Sequence, residues 1–175
     1  MNIIDKWKFC PQCGSHQFKK NSFKSLRCDA CGFEYFMNPS SANATFILNS
    51  ANQLLVIRRK IEPAKGTFDL PGGFADIEEG AEEGALREVK EETGLELNNI
   101  QYLFSIPNQY YYSGIDIPTL DLFYEAHISD SSKLQAMDDA EAYYWMNLED
   151  INPNLFGLKS AKEAVTRFLA TRKKQ

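Results

Sequence analysis

The sequence predicts an α/β fold with mixed strand directions, preceded by a small module that a metal holds together. Three observations predict it. Four cysteines lie in two tight pairs near the N-terminus. Apolar, β-branched and aromatic runs recur from residue 44 to residue 146 and read as strands. Two stretches, 81–93 and the tail from Leu158, carry helical spacing instead. The chain has 175 residues, enough for one ordinary domain with a small extra module and for a sizeable core. Its net charge of -5 gives no general attraction to nucleic acid or to anionic membranes. No apolar run is long enough to span a bilayer, and the start, MNIIDKWKF, lacks a signal-peptide core, so a cytoplasmic chain is expected.

The cysteines come first. FCPQCG and RCDACG give Cys10, Cys13, Cys28 and Cys31, with Gly14 and Gly32 after each pair. Each C-x2-C makes a knuckle, and two knuckles supply four thiolates to a tetrahedral Zn²⁺. No cysteine remains for scattered disulfides. The expected module is a zinc ribbon over residues 1–38. It is too short to hold a core alone, so the metal supplies its folding energy. The expected role is structural or dimer-supporting. Nucleic-acid binding through Lys19, Lys20, Lys24 and Arg27 is the alternative, and the acidic balance argues against it.

Phe36-Met37-Asn38-Pro39-Ser40-Ser41 reads as a junction, because proline and serines interrupt the pattern. A second domain is expected over residues 39–175. ATFILN and QLLVIRR are strands around Asn49-Ser50-Ala51-Asn52, a hairpin turn. EPAKGTFDLPGGF is a loop and short strand ending in a Pro-Gly-Gly turn. A helix over 81–93 stops at Gly94. IQYLFSI, TLDLFYEAHI and AEAYYWM are further strands. Leu158, Ala161, Val165, Phe168 and Leu169 form one apolar face of a last helix, which ends in Arg172-Lys173-Lys174. Tyr124 and Trp145 sit in apolar strand contexts and are expected in the core. His16 and His127 are isolated, and no nucleophile-base arrangement accompanies them.

The helix over 81–93 carries the chemistry. With Glu88 at zero, Glu91 falls at about −60° and Glu92 at about +40°, so three carboxylates share one exposed face. Leu86, Val89 and Thr93 take the other face. Such carboxylates repel by about 1 kcal/mol per pair in partly screened surroundings. A hard divalent cation turns the repulsion into binding, because Mg²⁺ or Mn²⁺ takes oxygen ligands. Gly72-Gly73 lets backbone carbonyls approach such an ion, and Arg87 can hold Glu79 in a bidentate pair.

The stretch from Gly73 through Glu79 to Arg87-Glu88-Val89-Lys90-Glu91-Glu92-Thr93-Gly94-Leu95 resembles the Nudix box at every defined position. KGTFDLPGGF and the run from Glu141 to Trp145 are similar to the family as well, so the resemblance covers about residues 39–170. It implies a Nudix α/β/α sandwich with a mixed sheet. It further implies that Glu88, Glu91 and Glu92, with the Gly72 carbonyl, hold Mg²⁺ or Mn²⁺. Glu79 would support the helix or take a proton, Arg87 would orient the glutamates, and Glu141 would offer another ligand or a general base, with Asp138 and Asp139 competing for that role. The activity implied is hydrolysis of a diphosphate linking a nucleoside to another group.

A ribbon ahead of this domain is similar to the NADH pyrophosphatase group, down to the fourteen residues between cysteine pairs. Of that group's Ser-Gln-Pro-Trp run, Ser105 and Pro107 remain in register. NAD(H) or ADP-ribose type substrates are therefore expected. Nucleotide sugars, dinucleoside polyphosphates and NAD-capped RNA are alternatives within the class, and a non-catalytic nucleotide sensor or nucleic-acid-binding module is the alternative outside it. Phe74, Arg58, Tyr110 and Tyr112 are the expected substrate contacts, the aromatics by stacking on a base or nicotinamide ring and Arg58 by meeting phosphate. A homodimer is the expected assembly.

Overall fold

The computed structural model describes residues 3–135 and 140–172. Asp138, Asp139, Lys173 and Lys174 lie outside the described residues. Chain contacts divide the molecule into two compact units, Met1–Ser40 with Gln109–Thr119, and Ser41–Asn108 with Leu120–Gln175.

In the first unit, β1 (Phe18–Lys20), β2 (Ser25–Cys28) and β3 (Glu34–Phe36) form an antiparallel sheet in that order. So short a sheet buries little by itself. Its core is Ile4, Cys10, Phe18, Leu26 and Cys28, with Trp7, Phe33, Tyr35 and Met37 packed against it. Trp7 and Tyr35 meet with ring centroids 4.6 Å apart. Lys6 Nζ donates to the Gly114 carbonyl at 2.8 Å, which ties the Gln109–Thr119 segment into this unit.

The larger sheet is built on β4 (Ser40–Leu48), β5 (Gln53–Arg59), β6 (Phe68–Asp69), β7 (Gln101–Tyr112), β8 (Ile115–His127) and β9 (Ala140–Asn147), and belongs to the second unit except for the Gln109–Thr119 end of β7 and β8. The order is β6-β5-β4-β8-β7, and β9 pairs with β5. The β5 pairings with β4, β6 and β9 are all antiparallel. The turn at 49–52 joins β4 to β5 as its residues suggest, with Asn49 Oδ1 accepting from Ala51 and Gln53 N–H. Strands β7 and β8 run further than their apolar stretches indicate. They continue through the polar, tyrosine-rich segment to a tight turn at Ser113-Gly114.

Two helices cover the sheet. Helix α1 (Ala81–Thr93) has the predicted bounds and ends at Gly94, whose N–H bonds the Lys90 carbonyl. The Glu83 carboxylate reaches back to the Gly80 N–H at 2.8 Å, and Glu82 and Glu83 favour the positive N-terminal end. Helix α2 (Lys159–Arg172) has the amphipathic face read from the tail. Alternation along β4 decides which helix each residue meets. Phe46 and Leu48 join Leu54, Val56, Phe123, Val165 and Phe168 in one cluster, where the Phe46 and Phe168 rings stack at 4.1 Å. Ile47 joins Leu55, Val89 and Leu95 on the other side, with Trp145 against them. Tyr124 is buried, as its context indicates. No helix among the described residues is long and apolar enough to cross a membrane.

Candidate active site and cysteine metal site

The four cysteine sulfurs converge in the first unit, all within 4.8 Å of one another. Cys10 Sγ and Cys31 Sγ are 3.7 Å apart, as are Cys13 Sγ and Cys28 Sγ. A tetrahedron with metal–sulfur bonds of ~2.3 Å has edges of ~3.8 Å, so this spacing fits such an ion. Each knuckle closes by the same bond, from Gly14 N–H to Cys10 O and from Gly32 N–H to Cys28 O, both 2.9 Å. Both glycines take positive φ, which other residues rarely adopt. Burial raises the Cys28 thiol, but N–H groups of Cys31 and Ala30 draw it down further, to about 7. Among the described residues this quartet is the group suited to a soft metal.

The acidic site lies in the second unit, where α1 meets the Pro71–Phe74 turn. That turn is docked on β4: Thr45 N–H donates to the Pro71 carbonyl at 2.9 Å and Asn43 N–H to the Gly73 carbonyl at 2.7 Å. The dock demands Gly72, since a Cβ there would sit 2.0 Å from the Asn43 carbonyl oxygen. Gly73 serves a different neighbour. A Cβ there would lie 2.5 Å from the Glu88 carboxylate carbon, so the missing side chain is the space that Glu88 occupies. The Gly73 carbonyl is already bonded to β4.

Arg87 organises the rest. Its Nε and Nη2 grip the two Glu79 oxygens at 2.8 and 2.9 Å, the bidentate pair that the spacing suggests. Nη1 reaches Glu88 and Glu91, both at 2.9 Å, and Nη2 also donates to the Phe74 carbonyl at 3.0 Å. One guanidinium thus binds three carboxylates and the turn. The Arg87 fork, with the Asp76 N–H behind it, holds the Glu79 carboxyl down at about 2. Glu79 is thereby ionised across the neutral range and anchors Arg87.

Glu92 departs from the expected exposed face. Only 6% of it is exposed, and its Oε2 accepts the Gly72 N–H at 2.9 Å. It belongs with Gly84, Ala85, Val89 and Thr93 on the buried side of α1, whereas Leu86 is half-buried. The helical wheel missed this because the Gly72-Gly73 turn packs over the helix and widens the covered sector beyond the sheet-facing one. Glu91 remains open, with 48% of its side chain exposed.

The other expected residues lie on several elements. Phe74 follows the turn, 39% exposed. Glu141 starts β9 and pairs with Arg58 Nε at 3.5 Å, both well exposed, and Arg58 also donates to the Gly66 carbonyl. Arg58 is thus engaged by a carboxylate and a backbone oxygen. Its neighbour Arg59 turns inward, where Nη1 meets the buried Asp69 at 2.7 Å. Burial still pushes the Asp69 carboxyl up despite that partner. Tyr110 and Tyr112 lie at the end of β7 that groups with the first unit. His127 Nε2 bonds Glu125, and His16 lies beside the Phe9 ring.

Some site residues had no signal in the sequence reading. Asn43 and Thr45 are buried on β4 on the same side as Ile47, facing α1. Among the described residues neither side chain has a hydrogen-bond partner. Each orphaned group costs about 1–3 kcal/mol. A polar residue two places from another in an otherwise apolar strand was the available clue.

The NUDIX domain model matches residues 37–168. The ADP-ribose pyrophosphatase of Methanocaldococcus jannaschii is 38% identical over 79 residues, 44% of this chain and 46% of that protein. The NAD-capped RNA hydrolase NudC of Stutzerimonas stutzeri is 23% identical over 167 residues, 95% of this chain and 55% of that protein. The chain spans about half the length of these curated relatives. A NUDIX hydrolase crystal structure from Nitrosomonas europaea matches with TM-score 0.74 and 20% identity, over 96% of this chain and 93% of that one. The NUDIX domain of Shewanella oneidensis NrtR, complexed with ADP ribose, matches with TM-score 0.63 and 20% identity, over 80% and 91%. These structures share the mixed α/β fold. With the box geometry and a domain match over most of its length, the chain belongs to the NUDIX domain family.

Proposed function

We propose that this chain is a divalent-metal-dependent hydrolase that opens the diphosphate link between a nucleoside and a second group, with NAD(H) and ADP-ribose type compounds as its substrates. The observation that carries the reading is the Arg87 hub, which gathers Glu79, Glu88 and Glu91 at the Gly72-Gly73 turn. Glu88, Glu91 and Glu92, with the Gly72 carbonyl, would hold Mg²⁺ or Mn²⁺. Their hard oxygen donors and the space that Gly73 leaves for Glu88 suit such an ion. Bound there, the ion neutralises diphosphate oxygens, lowers the pKa of water and steadies the leaving phosphate.

The chain's own residues do the rest. Arg87 fixes the directions of Glu88 and Glu91. Glu79, ionised throughout the neutral range, anchors Arg87. The water proton passes to a carboxylate open to solvent, for which Glu91 and Glu141 qualify. Phe74, partly exposed next to the turn, would stack on a ring of the substrate. Water adds to one phosphorus, the bridging oxygen leaves with the other, and two phosphate-terminated fragments result. The cysteine quartet holds Zn²⁺ and stabilises the first unit.

A second reading, cleavage of NAD-capped RNA ends, has one finding in its favour. The relative so named from Stutzerimonas stutzeri aligns along 95% of this chain, whereas the ADP-ribose pyrophosphatase aligns along 44%. The test is a panel of NADH, NAD, ADP-ribose, nucleotide sugars, diadenosine compounds and NAD-capped RNA with Mg²⁺, products separated by chromatography. Release of AMP with a mononucleotide, lost in Glu91→Gln, supports the hydrolase. Tight binding of any member with no product supports a sensor and refutes it.

A further inference from the structure

We propose that Asn43 is a positioning residue for the acidic site, and that with Thr45 it holds one buried water against Glu79. The inference rests on the metal-site reading above and adds a residue to it from outside the box.

The geometry starts with Gly84, in the second turn of α1. A Cβ on Gly84 would lie 2.7 Å from Asn43 Nδ2 and 2.8 Å from Glu79 Oε2. The Asn43 amide and the Glu79 carboxylate therefore flank one point beneath the helix, and a glycine is what lets them do so. Glu79 Oε2 already accepts the Asp76 N–H and Arg87 Nη2, both at 2.9 Å. Asn43 makes no bond to it, and its two amide atoms have no partner among the described residues. Thr45 Oγ1, two residues along the same face, is likewise unpartnered, with the residue fully buried.

Side chains at i and i+2 of a strand stand ~6.6 Å apart, and two hydrogen bonds of ~2.9 Å through one water nearly close that gap. A buried water needs two to four polar partners. The Asn43 amide, the Thr45 hydroxyl and the Glu79 carboxylate supply three. Asn43 also reaches the site by a second route, because its backbone N–H holds the Gly73 carbonyl. One residue thus steadies the turn beside Glu88 through its main chain and the Glu79–Arg87 pair through its side chain. When Glu79 is fixed, the Arg87 fork is fixed, and Glu88 and Glu91 are held ready for the cation.

Two measurements on the full chain test this. In a high-resolution crystal structure of the metal-free protein, a water is expected within ~3.2 Å of Asn43 Nδ2 and of Glu79 Oε2. Mn²⁺ binding, followed by electron paramagnetic resonance, is expected to weaken about tenfold in Asn43→Ala and to stay within about threefold of the parent in Asn43→Ser. Alanine and serine remove similar volume, so a merely structural role predicts equal losses. Equal Mn²⁺ affinities in the two variants, or no density at the water position, overturn the assignment. Thr45→Val, expected to weaken Mn²⁺ about threefold, serves if the Asn43 variants do not fold. If the parent itself binds no Mn²⁺, the metal-site reading fails, and the crystallographic water still decides the placement of Asn43.

Discussion

Gly72 and Gly73 are adjacent, both part of the box-preceding turn, and the structure gives them opposite sensitivities to the same substitution. In Gly72→Ala the new methyl meets backbone: the Asn43 carbonyl oxygen at 2.0 Å and Ala44 Cα at 2.7 Å. Neither can rotate away, so the turn must lift off β4. That strains or breaks the bonds from Asn43 N–H to Gly73 O and from Thr45 N–H to Pro71 O, at about 1 kcal/mol each. Overpacking adds about 1–3 kcal/mol. The sum is about 3–5 kcal/mol, which for a chain of this size lowers Tm by about 10–15 °C. In Gly73→Ala the methyl meets the Glu88 carboxylate at 2.5–2.6 Å, the far end of a flexible side chain that swings aside. Stability should change by less than about 1 kcal/mol, or about 3 °C. Glu88, however, leaves its seat, and Mn²⁺ affinity should fall at least tenfold. Thermal melts by circular dichroism and Mn²⁺ titration by electron paramagnetic resonance read the two effects separately. A Gly73→Ala protein that binds Mn²⁺ like the parent, or a Gly72→Ala protein that melts like it, refutes the reasoning.

Glu92→Gln and Glu91→Gln should also part company. The first turns an amide toward the Gly72 N–H in a buried site and should destabilise by about 1–3 kcal/mol, whereas the second alters a half-exposed pair and should stay within about 0.5 kcal/mol in urea melts. Glu79 predicts a pH effect. Its carboxyl lies near 2 when folded against an ordinary 4.5, so its contribution is complete above about pH 4.5 and disappears as pH falls toward 2. The Tm gap between parent and Glu79→Gln should therefore be constant above pH 5 and close on acidification; a gap that widens would contradict the pairing. Cys13→Ser should lower zinc content from about one ion per chain to near zero and melt the first unit early, as seen by zinc assay and by exposure of Trp7 to quencher.

Much of the fold was legible because its signals are local. The apolar run from Ala44 to Leu48, the helical period of α2 and the stop at Gly94 depend on neighbours in the chain, and each appears where the residues indicate. What escaped is tertiary. The Tyr110–Tyr112 segment read as a loop-like aromatic run, yet it continues β7 to the turn at Ser113-Gly114. Arg58 and Arg59 looked alike at the end of a strand. Alternation sends Arg59 inward to Asp69 and leaves Arg58 outside with Glu141, a difference set by which face of β5 is covered. Asn43 and Thr45 gave only a faint sign, two polar residues on one face of an apolar strand, because their setting comes from α1 lying across them.

The crowding of Glu88, Glu91 and Glu92 suggested one shared remedy, a cation among three equivalent carboxylates. The structure divides the problem. Glu92 is satisfied by a backbone N–H of the turn and lies in the buried layer, where it couples the helix to Gly72. Glu88 and Glu91 are balanced by Arg87, which owes its own position to Glu79 and the Phe74 carbonyl. Repulsion that would destabilise an isolated helix is thereby cancelled inside the fold. An ion held by Glu88 and Glu91 would compete with the Arg87 Nη1 contacts, while Nε and Nη2 would keep the arginine on Glu79. The fold itself brings these like charges together, through Arg87 and the Gly72 N–H.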